Sequence, residues 1–202
     1  VTVTSQSMLI NKQIVKDFII TDRAMMQSLP VMDKLRELAI YAINKKIQAE
    51  IILATVPAVA NQLSYTVVNT LDLVDMLAAK EKLDENDVPL SDRFGVVGSA
   101  QLNDIFNITG FTSSDFLTAG AGSPLQSGQI AMPLLGFDMN FTTAVGNTSY
   151  WAHKSYLTLA AQKGITVKEF DMGQQGIRAA RVNVDTLLGI KQLDDLRVVT
   201  LA

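Results

Sequence analysis

Apolar and polar positions along the 202-residue chain repeat with two periods, one near two residues and one near three and a half, and these set the expected elements. Residues 1 to 20 alternate loosely and are rich in Val, Thr and Ile. Ile14, Phe18 and Ile20 fall toward one side, which predicts strands joined by a polar break at Asn11, Lys12 and Gln13. Pro30 suits a first helical turn, and a long helix is expected from Val31 to Ala54. At 100° per residue, Asp33, Lys34, Glu37, Asn44, Lys45 and Gln48 share one polar wedge, while Val31, Leu35, Leu38, Ala42, Ala49 and Leu53 fill the opposite side. Ile40, Ile43 and Ile47 widen the apolar arc, and Ile51 lies at the edge of the wedge. So narrow a wedge predicts burial on more than one side, and a length of about 36 Å makes the helix a spine.

Pro57 closes that unit, and Tyr65 to Val68 is short and strand-like. A second helix is expected from Asn69, as cap, with Asp72 near its positive end, to about Leu83. Glu85 to Pro89 reads as a connecting loop, followed by a buried strand Arg93 to Val97 and a short helix capped by Ser99. Residues 107 to 128, with Gly110, Gly120, Gly122 and Gly128, read as one long loop. Two strands follow, Gln129 to Leu135 and Phe137 to Thr143, with Gly136 between them. Tyr150 to Gly164 reads as one helix stopped by Gly164 as a left-handed cap, and a strand Ile165 to Phe170 leaves it. A β-rich run closes the chain through Gly189, Ile190 and Lys191 and then Arg197 to Leu201. The fold class expected from this order is α+β.

Composition changes the picture in one respect. Apolar residues make up 48% of the chain and charged residues only 18%, an apolar surplus that one monomer has limited interior to hold. A chain of this size buries about 70% of the surface its unfolded form exposes, so part of the surplus is read as subunit interface, whose buried centre is depleted in charge. A net charge of −3, with no run of five or six Lys or Arg, argues against a dedicated nucleic-acid or acidic-membrane binder. Cysteine is absent, which excludes disulfides and thiolate metal sites. No apolar stretch reaches the ~18 to 20 residues of a membrane helix, and the start at Val1 reads as a fragment or a processed product.

Candidate chemistry is sparse. His153 is the only histidine, so a triad would have to use this base, and a packed structural role is the simpler reading. Ala119 to Pro124 carries a Gly-x-Gly core without a third glycine, which is too little for a dinucleotide site. Asp194 and Asp195 are adjacent, so in a strand they would face opposite ways; a solvated turn fits them better than an acid and base pair. Asp84, Glu85 and Asp87 lack the spacing of a calcium loop. Tyr150, Trp151 and Tyr156 read as core, and Met25, Met26 and Met32 as adaptable packing. No catalytic set, cofactor or metal is assigned.

Five segments stand in an order that resembles the major capsid proteins of tailed bacteriophages with the Hong Kong 97 fold. They are the spine helix ending Ile51 to Ala54; helix 70 to 83 with Leu83 to Pro89; the run Arg93 to Phe106; the strand pair from Gly128 through Gly136, Phe137 and Asp138 to Phe141; and the closing helix with Gly189, Ile190 and Lys191. The resemblance implies a peripheral domain with the spine helix (1–69), an axial domain (70–176) and closing strands that return to the peripheral domain (177–202). It implies a non-enzymatic shell protein of the virion, assembled in the host bacterial cytoplasm, that builds pentamers and hexamers of an icosahedral shell around double-stranded DNA. Its partners would be itself, non-specifically packaged DNA, and scaffold, portal and decoration proteins, with no membrane. Relatives carry an N-terminal arm and an extended loop before the spine helix; here only Val1 to Ile20 could belong to that loop, so the upstream part is expected to be missing. Expected contacts between subunits are Asp33, Lys34, Glu37 and Lys45 on the spine wedge, together with Arg93, Arg178 and Arg181. The alternatives are an encapsulin-type nanocompartment shell of the same fold, and a small α/β enzyme with its site in the loop 107 to 128.

Overall fold

The computed structural model describes residues 7–27, 31–108, 133–173 and 178–202. The chain divides into two compact units, one of Val1–Ala54 with Thr158–Lys191 and one of Thr55–Leu157 with Gln192–Ala202. This division differs from the expected 1–69, 70–176 and 177–202, because residues 158–176 group with the spine helix and 55–69 with the middle of the chain.

The first unit is built on strand β1 (Lys12–Thr21), helix α1 (Asp22–Gln27) and helix α2 (Val31–Ala54). Two long strands, β6 (Leu157–Asp171) and β7 (Ala179–Gln192), complete it, and the sheet order is β1-β7-β6. β1 runs antiparallel to β7 from Lys12↔Leu188 to Thr21↔Ala179. Alternation in β1 sends Ile14 and Phe18 to the face that carries Val182 and Val184, and these pack with Ala39, Ile40, Ile43 and Ile47 of α2. Gly189 is required where the chain crosses this sheet, since a Cβ there would lie 2.5 Å from the carbonyl oxygen of Leu9.

α2 has the bounds its pattern predicts, but its buried face differs from the expected one. The covered stripe follows Ala39 and Ile43, while Leu38, Ala42 and Leu53 are exposed, as is Tyr41. Within the chain only one side of the helix is covered, so burial on more than one side does not come from this chain's own described residues. The polar Asn11, Lys12 and Gln13 are not a break; β1 starts inside them. α1 was not expected, and its Met26 is exposed rather than packed.

The second unit holds β2 (Gln62–Leu63), α3 (Leu73–Glu85), β3 (Arg93–Val97), α4 (Ser99–Asn107), β4 (Asp138–Phe141), β5 (Ser149–His153) and β8 (Val198–Leu201). The sheet order is β2-β8-β5-β3-β4, with β5 antiparallel to both β3 and β8. Its core gathers Leu71, Met76, Ala79 and Leu83 at α3, Val97, Ile105, Phe137 and Trp151, with Val199 and Leu201 from β8. Beside it runs a buried polar network: the Trp151 indole donates to Ser149 Oγ at 3.1 Å, and Tyr65 donates to the Asn147 carbonyl at 2.8 Å and accepts from Gln101 at 2.9 Å. Every member finds a partner, as burial demands.

The helix expected from Tyr150 to Gly164 is the main correction. That stretch is β5, a single turn Lys154–Tyr156 and the first half of β6, and Gly164 lies inside β6 rather than at a helix end. β5 is central in its sheet, so Trp151, Ala152 and His153 are buried in succession and show no alternation to read. Helix α3 starts at Leu73 after Asp72, because Asn69 is left-handed (φ 58°) in the turn closed by Val67 and Thr70. The N-terminal position of α4 is Gly98 instead of Ser99, and Gln101 Oε1 accepts from the Gly98 N–H at 2.7 Å. Gly136 (φ 86°) makes the expected turn between Leu134 and Phe137, whereas residues 109–132, with most of the long loop and the start of the first strand, lie outside the described residues.

Gly98 yields a stability prediction. A Cβ there would stand 2.1 Å from the backbone oxygen of Gly146, which is itself fixed in a positive-φ turn, while at Gly164 an added Cβ meets nothing within 4 Å. Gly98→Ala is expected to cost at least ~2 kcal/mol in chemical denaturation, and Gly164→Ala to be neutral or stabilising by up to ~1 kcal/mol. Equal midpoints for the two variants would contradict the packing described.

Candidate functional site

The charged residues expected to make contacts divide into those used inside the chain and those left on the surface. Arg36 bonds Glu169 of β6 and also pairs with Asp33 at 2.8 Å; Glu169 first and Asp33 second hold its guanidinium above its ordinary pKa. Arg181 bonds Asp17 across the β1–β7 pair, and this contact, with Asn183 donating to the same carboxylate at 2.5 Å, lowers the Asp17 pKa. Lys34, Glu37, Lys45 and Arg178 are exposed and make no ion pair among the described residues.

Arg93, also expected as a contact, lies inside its own chain. Its side chain is 2% exposed and its donors point inward, Nε to the Pro89 carbonyl at 2.9 Å and Nη2 to the Val88 carbonyl at 2.5 Å, with Nη1 2.6 Å from Asp84 Oδ1. A guanidinium so enclosed fastens the loop after α3 to β3 and lies beneath the surface of its own chain.

The remaining chemical candidates also have structural tasks. His153 Nδ1 accepts the Ser155 backbone N–H at 3.2 Å and lies 2.7 Å from Ser155 Oγ, capping the turn after β5. Arg197 donates to Ser155 Oγ at 2.5 Å and to Asp194 at 2.8 Å. Asp194 caps its own turn through the Leu196 N–H at 3.0 Å, in agreement with the solvated-turn reading of Asp194 and Asp195. Asp84 and Glu85 are paired with Lys80 at 2.9 Å and Lys82 at 2.6 Å, and the described residues hold no cluster of three ligating side chains. Trp151 and Tyr156 are core, as expected, although in strand and turn rather than helix. The segment Ala119 to Pro124 lies outside the described residues.

What the surface offers instead is apolar side chains and an uneven charge. Leu38, Tyr41 and Leu53 on α2, Val67, Val68, Val74 and Leu77 around the start of α3, and Leu159 and Phe170 on β6 are all exposed. The first unit carries 12 Lys and Arg against 8 Asp and Glu, and the second 5 against 12, so +4 and −7 combine in one chain of −3. The sequence pointed to charges as contacts and overlooked the exposed apolar positions. Their signal was present in the apolar surplus, but which residues carry it depends on which faces the chain covers.

Solved structures of phages and of a virus-like particle share the fold of this chain. The chain superposes on that of Mycobacterium phage Che8 with a TM-score of 0.72 at 20% identity, covering 99% of this chain and 76% of that one. It matches the head structure of Helicobacter pylori bacteriophage KHP40 with 0.69 at 12% identity, over 94% and 74% of the two chains. The virus-like particle from Pyrococcus furiosus matches with 0.59 at 11% identity, over 95% and 75%. The fold is therefore the mixed helix and sheet capsid fold of the Hong Kong 97 type. The phage capsid protein family matches residues 21–201, and the chain belongs to that family of structural proteins. No curated protein matches the sequence.

The ion pairs predict how stability responds to acid. Lys12, followed by Lys46, lowers the Glu50 pKa, and Lys80, aided by Arg93, lowers that of Asp84. With folded values below unfolded ones, their stabilisation is complete above the unfolded carboxylate range of about 4 and is lost as pH falls through the folded values. Thermal melts are expected to be level from pH 7 to about 5 and to drop below about 4, with a shallower drop in Glu50→Gln and Asp84→Asn. An acid limb unchanged in both variants would contradict these assignments.

Proposed function

We propose that copies of this chain associate as pentamers and hexamers that close an icosahedral shell around double-stranded DNA, as the major capsid protein of a tailed phage. The observation that carries the reading is the family match over residues 21–201 together with exposed apolar faces on both units. An isolated chain gains nothing from exposing Tyr41, Leu53 or Val68, whereas a subunit that covers such surface on association is stabilised by about 25 cal/mol for each Å² removed from water.

In this reading the first unit, with spine helix α2, corresponds to the peripheral domain and the second unit to the axial domain. The exposed Lys34, Glu37, Lys45 and Arg178 face neighbouring subunits or the lumen. Arg181 contributes less, since Asp17 already uses its guanidinium. DNA is enclosed rather than bound at a specific site, which a net charge of −3 favours because phosphate and wall do not adhere strongly. No catalysis is assigned, and scaffold, portal and decoration proteins are further partners of the same surfaces. A nanocompartment enclosing cargo enzymes draws on the same fold; the phage capsid family match favours the phage.

Native protein examined by sedimentation and negative-stain microscopy is expected to give a megadalton fraction of closed isometric particles containing nuclease-protected DNA. A small monodisperse species that never assembles would contradict the shell, and particles filled with protein cargo would favour the compartment. Glu37→Lys is expected to weaken each contact by up to ~1 kcal/mol, which repeated around a capsomer reduces particle yield severalfold. An unchanged yield would remove Glu37 from the contacts.

A further inference from the structure

The start of α3 gathers exposed apolar side chains beside an acidic cleft. Val74 and Leu77 lie one helical turn apart on the side opposite the buried Met76, Ala79 and Leu83, and are 63% and 46% exposed. The turn before the helix adds to them: the Val67↔Thr70 bridge, with Asn69 left-handed, holds Val68 out at 82% exposure. Where this turn, the first residues of α3 and the end of α4 meet, there is a cleft of about 410 Å³ whose apolar wall is Leu73, Val74 and Ile108. Its rim is acidic. Asp72 and Asp104 line it, with Asp104 anchored by the Leu71 N–H at 3.0 Å, and Glu81 follows one turn after Leu77.

We propose that this face of α3 is the seat of a second copy of the chain, which lays apolar side chains on Val68, Val74 and Leu77 and places a lysine or arginine between Asp72 and Asp104. The inference rests on the capsid reading and names one of its contact surfaces. Two observations commit the occupant. The first is area: Val68, Val74 and Leu77, at 82%, 63% and 46% exposure, together present on the order of 300 Å², the size of the largest and often functional patch on a soluble protein and a substantial part of what a standard interface takes from each side. The second is charge. The rim is complementary to a cation, although Asp72 also caps α3, and Lys34, Lys45, Lys154 and Arg178 of the same chain are exposed without an ion pair among the described residues. All of these except Lys154 lie on the unit with net positive charge.

The acidic rim also decides the geometry. If the face met itself across a two-fold axis, Asp72 and Asp104 of one copy would confront those of the other, and like charges would oppose the contact. The face therefore receives a different surface of its neighbour. A heterologous contact of this kind, repeated, generates rings when the rotation closes, which is what a pentamer or hexamer needs.

The absence of cysteine makes the test direct. A single Val74→Cys in the full chain is labelled with a maleimide in unassembled protein and in particles. The expected result is rapid labelling of the unassembled chain and at least tenfold slower labelling in particles. Equal rates in both states overturn the proposal, and slow labelling in both does so too, because the face is then covered by the chain itself. In parallel, Leu77→Glu is expected to leave the melting temperature of the unassembled chain unchanged and to reduce particle yield at least tenfold. A wild-type yield from that variant also counts against the proposal. If the unsubstituted protein forms no particles, it is the capsid reading that fails; if it forms particles and Val74→Cys stays reactive in them, only this surface is wrong.

Discussion

The contact on which the second unit depends is Trp151 seated over Gly95. The indole is fully buried, it stands edge to face with the Phe137 ring at a centroid separation of 5.0 Å, and its N–H is satisfied by Ser149. A Cβ at position 95 would lie 3.0 Å from both the Trp151 ring and the Met139 sulfur, so the missing side chain of β3 is the space the indole occupies. One residue pair thereby fixes the register of β3 on β5, brings the turn at Gly136 against the core and sets the sheet on which α3 packs. The exposed side of α3 is a consequence: once Met76, Ala79 and Leu83 are committed inward, Val74 and Leu77 must face out.

The same logic holds in the first unit. β1 and β7 fix the face that Ala39 and Ile43 of α2 cover, and the helix, apolar around most of its circumference, is left with Leu38, Tyr41 and Leu53 uncovered. An ordinary soluble domain would place polar residues there. In a subunit of the proposed shell these faces are half of a contact, and the uneven charge of the two units, +4 and −7, gives such contacts a preferred direction.

Much of this was legible in the sequence where one face is solvated and the other buried. The bounds of α2, the strand Arg93–Val97 and the turn at Gly136 follow from period and punctuation. The stretch from Tyr150 to Gly164 did not, because its two halves are strands for opposite reasons. β5 is covered on both faces, so three consecutive residues are buried, while β6 exposes most of its residues and has nothing to alternate against. Its Leu, Ala, Gln and Lys have high helix propensity, which pairing with β7 overrides. The family resemblance survived that error because it rested on the order of many segments. The burial of Arg93 was not legible, because it depends on carbonyls and a carboxylate brought together only by the fold. The apolar patch at α3 was overlooked because exposure of a valine is decided by what its neighbours leave uncovered.

In the proposed shell, the apolar surface this chain leaves uncovered is covered by other copies of it. The most direct test is an electron cryomicroscopy reconstruction of the native particles. The account predicts an icosahedral map in which this fold repeats as pentamers and hexamers, with the exposed faces of α2 and α3 buried between neighbouring chains. Particles in which both faces remain open to solvent, or are covered by a different protein throughout, would contradict it.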